Sequence, residues 1–131
     1  MPLLTFLAIY GLVIAAWHLG GFDGNVLSLS ISTPVALLLA SVFAGRAWHS
    51  GRAATPAQTL RFVFQVLVLA SMVELLRLLA FVKLSSGWQP VAVELSHLRL
   101  IDAATLIVVW HAAVGGFVVM LGLWLARPRQ R

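Results

Sequence analysis

Glu74, Arg77 and His111 stand inside stretches of sequence that are otherwise apolar enough to dissolve in lipid. An ionisable group at mid-membrane costs several kcal/mol or more unless it is paired, so such residues face one another or a polar interior. Glu74 and Arg77 are three residues apart and share a helix face as an i,i+3 pair. Counted at ~1.5 Å per residue, Glu74 lies ~15 Å from the end of its span, and His111 lies ten residues into the next one. The two are therefore expected at similar depth, with Arg77 one turn closer to the boundary and Asp102 within reach of its guanidinium. A cluster of Glu74, Arg77, His111 and Asp102 can do either of two things. It can pin helix register, or its carboxylate and imidazole can handle protons or coordinate a substrate.

Other chemistries have less support. His97 and His111 are fourteen apart, a spacing that resembles the haem-ligating pairs of quinol-oxidising cytochrome b. That family repeats the pair on a second helix, and no second pair exists in this chain. His18 and His97 could share one haem between them, but nothing requires it, so the expected cofactor content is none. No HExxH motif occurs, and His18, His49, His97 and His111 are spread over both ends and the middle of the chain, so no metal site is expected. His49, in a basic loop, reads as solvated. Ser28, Ser30, Ser32 and Ser41 have no partnering His or Asp nearby in sequence, which leaves no nucleophile to defend. The absence of cysteine removes disulfides, Cys-ligated zinc, iron–sulfur clusters and thiol catalysis.

The elements that must position these residues are legible in the composition. Of 131 residues 61% are hydrophobic and 10% charged, and the mean hydropathy is +0.99. Soluble domains carry about 25% charged residues; this chain could not cover its own surface in water. The net charge of +5 would suggest nucleic acid in a soluble protein. Here the basic residues sit in short loops and a tail beside long apolar runs, the pattern of topology signals, and no nucleic-acid partner is expected.

Four apolar segments, each near the ~20 residues a spanning helix needs, cover residues 2–19, 26–48, 60–84 and 100–126. The first is expected to be a span and not a cleaved signal, because no basic region precedes it. A Gly-Gly-Phe-Asp-Gly-Asn turn joins the first two. The arginines set the orientation: Arg46, Arg52 and Arg61 lie in one loop and Arg127, Arg129 and Arg131 in the tail, against Lys83 and Arg99 on the other side. That asymmetry places the 46–61 loop and both termini on the cytoplasmic side. Trp17, Trp48, Trp88 and Trp124 fall near segment ends, where indole favours the headgroup layer; Trp110 is the exception. Residues 89–100 read as an amphipathic lead-in at the interface, since Val91, Leu95 and Leu98 share a face opposite Glu94 and Arg99. The fold class is an all-α, four-transmembrane-helix bundle in one domain, 1–131.

Small residues mark helix contacts in lipid. Ala8, Gly11, Ala15 and His18 align on the first helix; Ser30, Thr33, Pro34, Ser41 and Ala44 on the second; Ala104, His111, Gly115 and Gly122 on the fourth. These are the expected packing faces, Gly11, Ala15, His18, Ser41, Gly115 and Gly122 above all.

The run Ala44-Gly45-Arg46, then Ser50-Gly51-Arg52-Ala53-Ala54-Thr55-Pro56, leading into an apolar helix, resembles the inner loop of a group of uncharacterised bacterial four-helix inner-membrane proteins. The similarity covers roughly residues 35–75 and implies a four-helix fold in a bacterial inner membrane, not an activity. The expected partners are the lipid bilayer and either a larger membrane protein or further copies of the chain. The expected function is an accessory, assembly or interaction subunit of a membrane complex, and not an enzyme. The alternative is a homo-oligomeric proton- or ion-coupled transporter built on Glu74, Arg77 and His111.

Overall fold

A computed structural model describes residues 1–20, 26–50, 54–83 and 100–128; for 26–30, 81–83, 100, 101 and 103 it describes the backbone alone. The chain forms α1 (Pro2–Leu19), α2 (Val26–His49), α3 (Pro56–Lys83) and α4 (Leu100–Trp110), which runs through a π-helical turn (His111–Gly115) into α5 (Gly116–Leu125). Four stretches, Pro2–Leu19, Ile31–His49, Pro56–Ala80 and Ala104–Leu125, are long and apolar enough to cross a membrane. The fold is all-helical, and the four apolar helices mark a multi-pass membrane protein.

Local sequence explains the helix ends. Pro2 opens α1, where a missing N–H costs nothing. At α3 the Thr55 hydroxyl accepts from the Gln58 amide at 3.3 Å while Gln58 Oε1 accepts from the Thr55 amide at 3.0 Å. This reciprocal capping box, with Pro56 as the first helical residue, starts α3 four residues before the expected Leu60. Hydropathy alone could not see that start, because the first turn is polar. Pro34 inside α2 removes one helical hydrogen bond and supplies a site for bending. The interfacial helix expected at 89–100 and the turn at 21–25 lie outside the described residues.

The packing is small inside and large outside. Ala36, Ala40, Ala44 and Ala70 are buried, with Phe6, Tyr10, Leu37, Phe62, Val66 and Val119 filling the remaining core. Leu4, Leu12, Phe64, Leu76, Leu106 and Phe117 are each more than half exposed. In water that surface would be a liability, whereas in lipid it is solvated. α2 and α5 run in the same direction and approach closely at their glycines: a Cβ added to Gly122 would meet Ser41 Cβ at 2.6 Å, and one added to Gly45 would meet Ala126 Cβ at 2.7 Å. Near the same end Trp48 stacks on Phe62 of α3, ring centroids 4.6 Å apart. His49 Nε2 donates toward the Leu123 carbonyl at 3.4 Å, tying the end of α2 to α5.

The structure turns the expected packing face of α1 outward. Ala8, Gly11, Ala15 and His18 are exposed, and nothing lies within 4 Å of a Cβ added to Gly11. α1 packs instead through Phe6 and Tyr10, which are fully buried and stack at 5.5 Å. α1 lies mainly along α2, with Leu3, Ile9, Val13 and Ile14 packed against the same core, and Tyr10 adds a hydrogen bond across to Glu74 on α3.

Candidate functional site

The site is an intramembrane polar cluster built by three helices. Glu74, on α3, is only 8% exposed. Its Oε1 accepts from the Tyr10 hydroxyl of α1 at 2.7 Å and from the Thr33 hydroxyl of α2 at 3.2 Å. Its Oε2 faces Arg77 Nη1 at 3.6 Å, an ion pair one helical turn along α3. Arg77 Nη1 in turn donates to the Oγ of Ser32, a fully buried residue on α2, at 3.2 Å. One carboxylate thus gathers α1, α2 and α3, and the guanidinium fastens α3 to α2 a second time. Two hydroxyl donors on Oε1 and a cation beside Oε2 are what allow the carboxylate to persist in a low-dielectric interior.

His111 opens the π turn and is 2% exposed. Its Nδ1 donates to the Ile107 carbonyl at 2.7 Å, one turn back, and its Nε2 makes no hydrogen bond among the described residues. Trp110 meets the imidazole edge-on with centroids 5.1 Å apart.

Of the four residues expected to cluster, the structure joins Glu74 and Arg77 directly. His111 is buried, but no hydrogen bond or ion pair links it to Glu74 among the described residues. Asp102 is exposed, and among the described residues no ion pair joins it to Arg77. Its place near the start of α4 explains this: an acidic residue in the first turn is favoured by the helix dipole and needs no cation. Of the expected packing residues, Ser41, Gly115 and Gly122 are buried, while Gly11, Ala15 and His18 are on the outward side of α1. His97 lies outside the described residues, so the His97–His111 pair is not placed. Among the described residues no three His, Cys, Asp or Glu side chains lie close enough to hold a metal ion.

Tyr10 and Ser32 are the site residues that sequence reasoning missed. A signal for Tyr10 existed. It is the chain's single tyrosine, placed mid-span in a helix where an interfacial anchor would belong at the end. Thr33 stood on the expected face of α2 without being tied to Glu74.

Compared with family models, with curated proteins and with solved structures, the chain gives no match. The resemblance over residues 35–75 therefore carries no family assignment.

Proposed function

We propose that this chain is an interaction or accessory subunit of a larger membrane assembly, residing in a bacterial inner membrane with both ends cytoplasmic. The observation that carries the proposal is the division of α1 into two faces. One face is committed to the bundle through Phe6 and the Tyr10–Glu74 hydrogen bond. The other presents Ala8, Gly11 and Ala15 outward, with open space above Gly11. In a bilayer an apolar helix gains nothing from small residues on its lipid side, whereas small residues allow the close backbone approach on which helix association depends. The bundle already has its own close contacts at Gly45, Gly115 and Gly122. The α1 stripe is left for a helix of another protein. The charged cluster supports the same reading, because Glu74 is engaged by Tyr10, Thr33 and Arg77 within the chain and acts as a clasp.

The test uses the cysteine-free sequence. A photo-crosslinking residue at position 11 should give an adduct with one larger membrane protein in native membranes, and the same residue at lipid-facing Phe64 should not. Adducts at both positions, or at neither, would count against the proposal. The cytoplasmic placement of the ends is checked by labelling single cysteines at Ser50 and at Gly20 from each side of the membrane, with Ser50 expected to react from the cytoplasm only.

A further inference from the structure

His111 Nε2 is a buried acceptor with no hydrogen-bond partner among the described residues. Its tautomer is fixed by the 2.7 Å bond from Nδ1 to the Ile107 carbonyl, so the ring cannot turn Nε2 into a donor without becoming charged. Such a group in a dry apolar core is destabilising, and native interiors leave few of them unmatched.

The backbone at this point is also irregular. The helix widens into a π turn over His111–Gly115, with the Gly116 amide bonded back to the His111 carbonyl. π turns inside α-helices are rare and recur at functional sites. Here the widening starts at the residue whose lone pair is unmatched.

A third observation concerns depth. A Cβ on Gly115 would lie 3.5 Å from Leu37 of α2, and α2 runs in the same direction as α4 and α5. Four residues back along each helix, through the π turn on one side and along regular α2 on the other, lead from Gly115 to His111 and from Leu37 to Thr33. His111 is therefore level, to within a turn, with the Thr33 hydroxyl that donates to Glu74. Glu74 has an under-used acceptor as well. Its Oε2 faces Arg77 at 3.6 Å, beyond hydrogen-bond length, while both hydroxyl donors go to Oε1.

Two acceptors with spare lone pairs thus stand within about a turn of each other in depth, and the hydroxyls of Tyr10 and Thr33 are already committed to Oε1. We propose that His111 Nε2 and the Glu74 carboxylate form a binding site for water in the middle of the membrane. Water carries two donors and is small enough for a closely packed bundle, so a single molecule or a short chain of them satisfies both groups. Among the described residues the charged and titratable groups facing this site are Glu74 and Arg77 on α3, Tyr10 on α1 and His111 itself, and α2 contributes the Ser32 and Thr33 hydroxyls. The proposal is independent of the partner-binding reading, since it concerns the interior of the bundle and not the outer face of α1.

The experiment is water-edited solid-state NMR of the full chain in lipid, labelled with nitrogen-15 at histidine. The His111 signals are assigned by their loss in His111→Gln. The expected result is an unprotonated Nε2 resonance shifted in the direction of a hydrogen-bonded lone pair, with magnetisation transfer from water on the timescale of a bound molecule. A companion measurement is the infrared carboxylate band of Glu74, identified by its loss in Glu74→Gln. It should shift in deuterated water, and shift again in His111→Leu. A free-lone-pair Nε2 resonance with no transfer from water overturns the proposal, as does a Glu74 band that ignores both deuteration and the His111 substitution. The NMR arm uses the unsubstituted protein, so a failure of His111→Leu to fold leaves the proposal testable.

Discussion

Tyr10 and Glu74 are 64 residues apart in sequence and 2.7 Å apart in space, joined by a buried hydrogen bond that fastens α1 to α3. Tyr10→Phe removes the donor and nothing else. A hydrogen bond to a charged group is worth about 1.5–3 kcal/mol in water-soluble proteins, but interhelical bonds inside membranes average about 0.6 kcal/mol, because the unfolded chain in lipid finds other partners. The second effect dominates here, since the reference state is also in the membrane. Tyr10→Phe is expected to lower stability by about 0.5–2 kcal/mol in reversible unfolding from mixed micelles. A change below the error of that measurement would mean the bond does not hold α1.

Breaking the Glu74–Arg77 pair on one side is a harsher change. Arg77→Leu leaves a buried carboxylate with its cation gone, and Glu74→Leu takes the Glu74 counter-charge from a largely buried guanidinium. Removal of one partner from a buried pair costs about 3–5 kcal/mol, while replacing both together is often close to neutral. The double variant Glu74→Leu with Arg77→Leu should therefore express better than either single variant, as judged by monodisperse yield in mild detergent. Additive losses would show that the pair does not act as a unit.

Glycines distinguish the inner and outer faces without reference to polarity. A Cβ at position 122 would lie 2.6 Å from Ser41 Cβ, 3.2 Å from the Leu38 carbonyl oxygen and 3.3 Å from the Ser41 carbonyl carbon, so helices and not only side chains must move. Overpacking of this kind costs about 1–3 kcal/mol. At position 11 the space is open, and Ala is the better helix former by about 1 kcal/mol. Gly122→Ala is expected to lower the melting temperature and Gly11→Ala to leave it unchanged or raise it. The reverse order would place the α2–α5 contact elsewhere.

The capping box at the start of α3 gives a local test. Thr55→Ala removes the hydroxyl that accepts from Gln58 and should cost about 1 kcal/mol. The loss should appear as faster hydrogen exchange over the first turn of α3, with the amides near Glu74 unchanged. Uniform acceleration along α3 would mean that the cap supports the whole helix.

Hydrophobicity made the four spans legible, because a run of ~20 apolar residues has few other uses. Glu74 and Arg77 were legible as a pair for the opposite reason, since charge in such a run must be answered. The identity of the answering groups was not. Sequence pattern offered His111 and Asp102, whereas the structure gives Tyr10, Thr33 and Ser32. Hydroxyls are cheap to carry in a membrane helix and therefore leave little trace in a hydropathy profile. The direction of the α1 face was not legible on the same principle. Small residues permit close helix contact but do not say with which helix, and on α1 they stand on the exposed side.

The central claim is that the outward Ala8–Gly11–Ala15 face of α1 receives a helix of another membrane protein. Photo-crosslinking from position 11 in native membranes tests it most directly. The account predicts one adduct of defined mass with a larger membrane protein, lost when Ala8 and Ala15 are both replaced by Leu. An adduct pattern made only of lipid, or one unchanged by those two substitutions, would contradict it.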